Sequence, residues 1–365
     1  MSQEPKAHPA RYWRRLDDGR LLCELCPRLC KLKEGQRGLC FVRQHLDGKL
    51  VLTTYGRSSG FCVDPIEKKP LNHFHPGSAV LSFGTAGCNL ACRFCQNWDI
   101  SKSRQMDTLA DDASPETIAR AAAELRCRSV AYTYNDPVIF LEYAVDVAAA
   151  CHEAGIANVA VTAAEILAEP RSEFFDVMDA ANVDLKAFTE EFYRRQCGGE
   201  LQPVTETLEY LAQKTDVWVE LTTLLIPGLN DSDHELHEMT DWVVERLGPD
   251  VPMHFTAFHP TYKMLDLPPT PPSTLTRARK IAMESGVRFA YTGNVHDESG
   301  GSTMCPGCGQ VLIGRDWYRL IRWNLTDDGC CTSCGTTCPG RFDGPPGDWG
   351  AKRMPVRLSD FEVEE

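Results

Sequence analysis

Three cysteines in the stretch GTAGCNLACRFCQNW, namely Cys88, Cys92 and Cys95, are spaced C-x3-C-x2-C, with an aromatic, Phe94, just before the last. Three thiolates on one short loop can hold three irons of a cubane iron–sulfur cluster, which leaves the fourth iron without a protein ligand. An open iron can bind an external molecule and hand it an electron, so the loop reads as a reaction centre. A zinc loop would want a fourth ligand close by. No cysteine or histidine follows within the next few residues, although His73 and His75 lie before it, and the iron–sulfur reading is preferred.

Two further sets carry metal-ligand spacing. Cys23, Cys26, Cys30 and Cys40 supply four thiolates in the order C-x2-C-x3-C-x9-C. Four is the closed number for structural zinc, and the same set can hold an auxiliary iron–sulfur cluster used as an electron relay. The flexible, charged insert KLKEGQRG favours zinc. Cys305 and Cys308, then Cys331 and Cys334, form the paired knuckles of a zinc ribbon around the apolar run WYRLIRW. Cys330 is an alternative to Cys331, and Cys338 is a spare. Four thiolates leave zinc no open position, so this module is expected to brace the fold or present a docking surface. The isolated Cys62, Cys127, Cys151 and Cys197 read as small buried apolar groups.

The elements that position these clusters alternate. β-prone runs AVLSFG (79–84), SVAYTY (129–134), NVAVTA (158–163), NVDLK (182–186), WVELTTL (218–224), MHFTAF (253–258) and RFAYT (288–292) are separated by helical patterns. One helix opens at Ser114-Pro115-Glu116, another runs from about Pro137 to Gly155, and a third from Asp231-Ser232 to near Gly248. Strand then helix, repeated, is the pattern of βαβ units and a parallel sheet. A full or partial barrel is favoured over an open doubly wound sheet, because polar groups gather at the carboxyl ends of the strands, where barrels place reactive residues. These are Cys88, Tyr134-Asn135-Asp136, Glu165, Asp184, Lys186, Thr222, Thr223, His259 and Asn294. His259 is preferred to His254 for a substrate role, and Asn135-Asp136-Pro137 also suits a plain turn.

The 365 residues carry 38 Lys plus Arg against 51 Asp plus Glu, a net charge of −13. That balance disfavours a protein held to nucleic acid by bulk electrostatics, without excluding it. No run approaches the length of a membrane helix and the start lacks a secretion signal, so a cytoplasmic protein is expected. In a reducing compartment the 17 cysteines read as metal ligands rather than as a disulfide framework.

The cluster loop, CELCPRLCKLKEGQRGLC (23–40), VDPIEKKPLNHFHPGS (63–78), AYTYNDP (131–137), ANVDLKAFTEEFYR (181–194), TTLLIPGLND (222–231), HFTAFHPTYKM (254–264), TGNV (292–295) and CPGCG (305–309) together resemble the radical S-adenosylmethionine (SAM) superfamily. The closer match is to the radical SAM enzymes of the AmmeMemoRadiSam system, related to pyruvate formate-lyase activating enzymes. The resemblance implies an α/β fold, a partial (β/α)6 barrel, with an N-terminal four-cysteine module (1–75), a radical SAM core (76–297), a zinc-ribbon-like module (298–343) and an acidic tail (344–365). It implies a [4Fe-4S] cluster on Cys88, Cys92 and Cys95, with SAM chelating the open iron and yielding a 5′-deoxyadenosyl radical. Phe94 would border the adenine, Asn135 and Asp136 the methionyl amine, and Asp184 with Lys186 the ribose and carboxylate region. Where the family usually has Asn-Gly after the third strand, this chain has Ala163-Ala164-Glu165. Alanine tolerates positive φ badly, so a changed loop is expected there. A ferredoxin or flavodoxin reductant and the Amme-type and Memo-type proteins are the implied partners. Hydrogen abstraction from an unidentified metabolite, peptide or RNA, or glycyl-radical activation of another enzyme, is the implied activity. A zinc-dependent scaffold is the reading from another class.

Overall fold

The computed structural model describes residues 7–102 and 111–362. Its centre is a run of seven parallel strands, all seven β-prone runs of the sequence: β1 (Ala79–Gly84), β2 (Ser129–Tyr132), β3 (Ala157–Thr162), β4 (Ala180–Asp184), β5 (Trp218–Leu225), β6 (Met253–Ala257) and β7 (Ala290–Gly293). Each pairs with the next in chain order. A doubly wound sheet reverses its strand order at a switch point, and this one never does. The winding is therefore that of a barrel. The antiparallel strand Arg57–Pro65 flanks β1, so among the described residues the sheet does not close on itself. Six helices follow the first six strands: α1 (Pro115–Glu124), α2 (Leu141–Glu153), α3 (Ala168–Phe175), α4 (Leu201–Lys214), α5 (Asp233–Arg246) and α6 (Pro272–Glu284).

Local chemistry sets the boundaries. Ser114 caps α1 by accepting the Thr117 N–H at 3.2 Å, and Pro115 occupies the first turn, where no N–H is needed. Ser232 caps α5 by accepting from Glu235 at 3.3 Å. Every residue of β1 and β2 is buried, as expected of parallel strands covered on both faces. Phe83 of β1 and Tyr132 of β2 meet edge to face at 5.3 Å. Each buried aromatic of this kind contributes roughly 1.5–3 kcal/mol through burial.

Two small antiparallel sheets precede the parallel run, one of Trp13–Arg15, Leu21–Cys23 and Lys31–Leu32, the other of His8–Pro9, Arg43–Leu46 and Lys49–Leu52. They are fastened to α2 by a buried ion pair in which Arg43 Nη2 lies 2.6 Å from Glu142 Oε2. After β7 comes a third antiparallel sheet, Thr303–Met304, Val311–Asp316 and Arg319–Trp323. Its core of Leu312, Ile313 and Leu325 is continuous with Phe289 and Tyr291. No helix among the described residues is long and apolar enough to cross a membrane.

Candidate functional site

A cavity of about 490 Å³ opens at the carboxyl ends of the strands. Cys88, Cys92, Cys95, Phe94, Tyr134, Asn135, Asp136, Asp184, Lys186, Thr222 and Asn294 all line it, as the rim pattern anticipates. Glu165, Thr223 and His259 do not. Thr223 turns inward and donates to the Leu185 carbonyl at 2.8 Å, and Glu165 is buried behind the cluster loop. The preference for His259 is corrected: it is exposed away from the cavity, whereas His254 lines it, held by Glu220 at 2.6 Å and stacked on Tyr291.

The cluster loop is braced by backbone pairing. Ala91 N–H donates to the Cys197 carbonyl at 2.7 Å, and Arg93 N–H to that of Gln196 at 2.9 Å. From β2, Asn135 Nδ2 donates to the Gly87 carbonyl at 2.9 Å while its Oδ1 accepts from Thr85 N–H at 3.1 Å. Its amide is thus spent on holding the loop. Asp136 accepts from Val138 N–H, Thr162 Oγ1 and Ala163 N–H at 3.1, 2.9 and 3.1 Å, tying the ends of β2 and β3 together. Burial raises its pKa.

In the loop after β3, Ala164 adopts φ 56°, left-handed in spite of its methyl group. Its N–H donates to Thr162 Oγ1 at 3.0 Å and its carbonyl accepts from Thr207 Oγ1 at 3.3 Å. These tertiary bonds offset a strain of about 1–2 kcal/mol.

The sulfur environments differ. Burial and the nearby Asp136 push the Cys88 thiol up to about 12. A hydrogen bond from Cys197, helped by Lys186 and Lys102, outweighs burial and brings the Cys92 thiol down to about 7. Cys197 is thus buried as read from sequence but also touches a cluster-loop sulfur. No sequence signal marked that contact, which depends on the π-helical turn Tyr193–Cys197. Cys95 Sγ lies 3.1 Å from Ser101 Oγ. Lys186 Nζ pairs with Asp184 Oδ2 at 2.7 Å. Burial opposes the lysine charge, but Asp184 and the two sulfurs outweigh it and hold the ammonium well above its usual range.

The roof is a surprise. Arg315, Asp316, Trp317 and Tyr318 of the C-terminal sheet line the same cavity. Arg315 Nη2 donates to the Asn72 carbonyl at 2.6 Å, and Nη1 to Thr303 Oγ1 at 2.8 Å. Glu67 Oε2, Thr222 Oγ1 and Arg315 Nε are buried atoms without a hydrogen-bond partner, and all three residues face this space. A cavity of this size with unmatched polar atoms suits a polar cosubstrate. Three free thiols at one wall suit a cluster with an open iron.

The C-terminal cysteines form a tighter group. Cys305, Cys308, Cys331 and Cys334 keep all their sulfurs within 4.8 Å of one another, and no other such group occurs among the described residues. Cys305 lies 3.6 Å from Cys334, and Cys308 3.8 Å from Cys331. Each knuckle ends in a left-handed glycine, Gly309 (φ 74°) and Gly335 (φ 73°), whose N–H returns to the first cysteine's carbonyl at 2.9 Å. Cys330 points instead toward Asp328 and Thr337, and Cys338 packs against His73.

The profile of the radical SAM superfamily matches residues 83–240, from β1 into α5. The chain belongs to the radical SAM superfamily. It is 39% identical over 327 residues to an uncharacterized protein of Methanocaldococcus jannaschii, spanning 89% of this chain and 97% of that one. It is also similar to the 4-hydroxyphenylacetate decarboxylase activating enzyme of Clostridioides difficile, 23% identical over 163 residues, covering 42% of this chain and 51% of the relative. Among solved structures, a domain of the pyruvate-formate lyase-activating enzyme from Bacteroides vulgatus aligns at 16% identity, covering 46% of this chain and 99% of that domain, with a TM-score of 0.41. Membership in this superfamily implies an enzyme that uses a [4Fe-4S] cluster and SAM.

Proposed function

We propose that Cys88, Cys92 and Cys95 hold the [4Fe-4S] cluster and that the cavity they share with Asp184, Lys186 and Thr222 binds SAM beside a small substrate. When bound, the cluster and SAM supply reductive carbon–sulfur cleavage and a carbon radical that takes a hydrogen atom from the substrate. The observation that carries this reading is the convergence of three free thiols and the barrel-rim polar groups on one cavity.

The chain's own residues divide the work. Asn135 fixes the cluster loop to β2, and Asp136 ties β2 to β3, so both act as positioning residues. Lys186, charged and paired on only one side by Asp184, offers its ammonium to a carboxylate. Phe94, packed 5.8 Å from Phe192, gives an apolar wall for an adenine. The roof of Arg315, Trp317 and Tyr318 shields the reacting atoms from water. A roofed cavity favours a small molecule or an extended chain segment over a folded protein surface. A one-electron reductant of the ferredoxin or flavodoxin class completes the system; family resemblance alone supports the Amme-type and Memo-type proteins as partners.

The test is anaerobic reconstitution with iron and sulfide, then dithionite and SAM. Brown protein that releases 5′-deoxyadenosine is expected, with deuterium passing into that product from the true substrate. Colourless protein carrying three zinc ions and giving no cleavage would overturn the assignment in favour of a scaffold.

A further inference from the structure

Four side chains inside the barrel form one row. Asp184 of β4, Thr222 of β5, His254 of β6 and Tyr291 of β7 are register partners, each paired with the next. Register partners on neighbouring parallel strands point to the same face of the sheet, and all four of these residues line the cavity. Two residues earlier on their strands, Asn182 and Glu220 are partners on the same face. Asn182 Nδ2 donates to the Pro70 carbonyl at 2.9 Å, and Glu220 accepts from the backbone N–H groups of Asn72 and His73 at 2.9 and 2.7 Å. The segment 70–73 thus closes the barrel beneath the row.

Two members of the row have unmatched polar atoms. Asp184 pairs with Lys186 at 2.7 Å, and the Tyr291 hydroxyl is shared between His73 Nε2 at 2.5 Å and Thr303 Oγ1 at 2.8 Å. Thr222 Oγ1, in contrast, is buried and has no hydrogen-bond partner. His254 is 4% exposed, and its Nε2 is committed to Glu220 at 2.6 Å. Burial would raise the Glu220 carboxyl, but the bond from His254, with help from His73 and Trp218, holds it below its usual range. Glu220 is therefore the acceptor, Nε2 carries the hydrogen, and Tyr291 stacks on the ring at 5.0 Å. His254 Nδ1 makes no hydrogen bond among the described residues. A fixed ring with one free nitrogen, beside an unpaired hydroxyl, destabilises a core in which valine and phenylalanine would leave no polar atom unmatched.

The surroundings select the ligand. The nearest charges are already matched: Glu220 by His254, Lys186 by Asp184, and Arg315 by Glu67, whose Oε1 lies 3.9 Å from its Nε. Lys68 and Lys69 share Asp64 on the strand that flanks β1, far from β5 and β6 in the order of the sheet. A carboxylate or phosphate between Thr222 and His254 would find no unmatched cation there, and an ammonium no unmatched carboxylate. A hydroxyl needs neither. It donates and accepts, and so satisfies a threonine hydroxyl and an imidazole nitrogen whichever of them gives the hydrogen.

We propose that Thr222 Oγ1 and His254 Nδ1 bind a hydroxyl group of the substrate, which is therefore a small alcohol. The assignment rests on the function proposed above. Glu220 and Tyr291 hold the imidazole in place behind the subsite. No bond is made or broken at the pair itself; it anchors the substrate at one end of a row whose other end is Asp184.

The test uses the full chain, reconstituted anaerobically and supplied with SAM, dithionite and the small-molecule extract of cells grown in heavy water. Deuterium should pass from the extract into 5′-deoxyadenosine. Transfer should survive acetylation of the extract's amines alone and be lost when its hydroxyls are acetylated as well. Thr222→Val and His254→Phe should each lower the deuterated share of the product about tenfold, the worth of one hydrogen bond, while Thr222→Ser keeps it. Iron content checks that each variant folds, and the isosteric Thr222→Val carries the test if His254→Phe does not. SAM affinity by equilibrium dialysis should be the same for His254→Phe as for the parent. Transfer lost on amine acetylation alone, transfer that survives full acetylation, or 5′-deoxyadenosine that never gains deuterium would overturn the proposal. Weaker SAM binding by folded His254→Phe would overturn it too, by assigning the pair to the ribose hydroxyls of SAM. No 5′-deoxyadenosine at all is instead a failure of the function proposed above, and the subsite falls with it.

Discussion

The central and C-terminal cysteine sets both rest on short C-x2-C or C-x3-C steps, yet the chain gathers them differently. In the C-terminal sheet two glycine-ended knuckles face each other and bring four sulfurs within 4.8 Å. At the barrel rim one loop spreads three sulfurs along a cavity wall, held by backbone bonds to the turn before Gly198 and by Asn135. A single ion bound by the first arrangement would be saturated by its four sulfurs. A cluster held by the three sulfurs of the second would keep one coordination site facing the cavity. Spacing names a metal centre; convergence decides whether it is closed.

The sharpest way to break this comparison is to remove one sulfur from each set. Cys95→Ala should bring SAM cleavage down to background while zinc content is kept. Cys308→Ala should release zinc and unfold the C-terminal sheet, since metal binding supplies of the order of 10 kcal/mol to small zinc modules; iron content should be kept. Metal analysis of both variants checks the pair, and equal loss of iron in the two would erase the distinction.

Next in size is the fastening of the N-terminal sheets. Glu142→Ala leaves Arg43 buried without its carboxylate, now 2.6 Å away, and should cost about 3–5 kcal/mol in urea unfolding. A cost near zero would mean that the ion pair does not couple these sheets to the barrel.

The smaller effect concerns the joint between barrel and C-terminal module. His73 donates to the Pro339 carbonyl at 2.6 Å through Nδ1, and its Nε2 shares a hydrogen bond of 2.5 Å with the Tyr291 hydroxyl. Burial lowers its pKa to about 4. A lowered value in the folded state means stability that is present above the unfolded value, about 6.5, and lost as pH falls through 4. Up to about 3 kcal/mol should disappear over that window. Urea midpoints of His73→Phe should fall less steeply with acid than those of the parent, and parallel slopes would remove His73 from this role.

Much of the fold was legible because its signals are local. The seven β-prone runs, the serine caps at Ser114 and Ser232, and the two knuckles depend on residues within a few positions of each other. The site was legible where a strand end fixes direction, as at Asp184 and Lys186. It was misread where a side chain just past a strand turns away, as at His259. Glu220 and Cys197 gave no signal at all, since a lone acid or thiol acquires meaning only from what is packed against it.

By itself the sequence determined a strand–helix alternation, a three-cysteine loop at the rim of the sheet and a four-cysteine ribbon, because hydrophobic periodicity and cysteine spacing act over one or two turns of chain. Tertiary structure alone decided that Arg315 reaches Asn72, 243 residues away, to roof the cavity, that Cys331 rather than Cys330 completes the ribbon, and that Cys40 presses on Gly87. Those contacts join segments far apart in the chain, and only the packed core holds them at bonding distance.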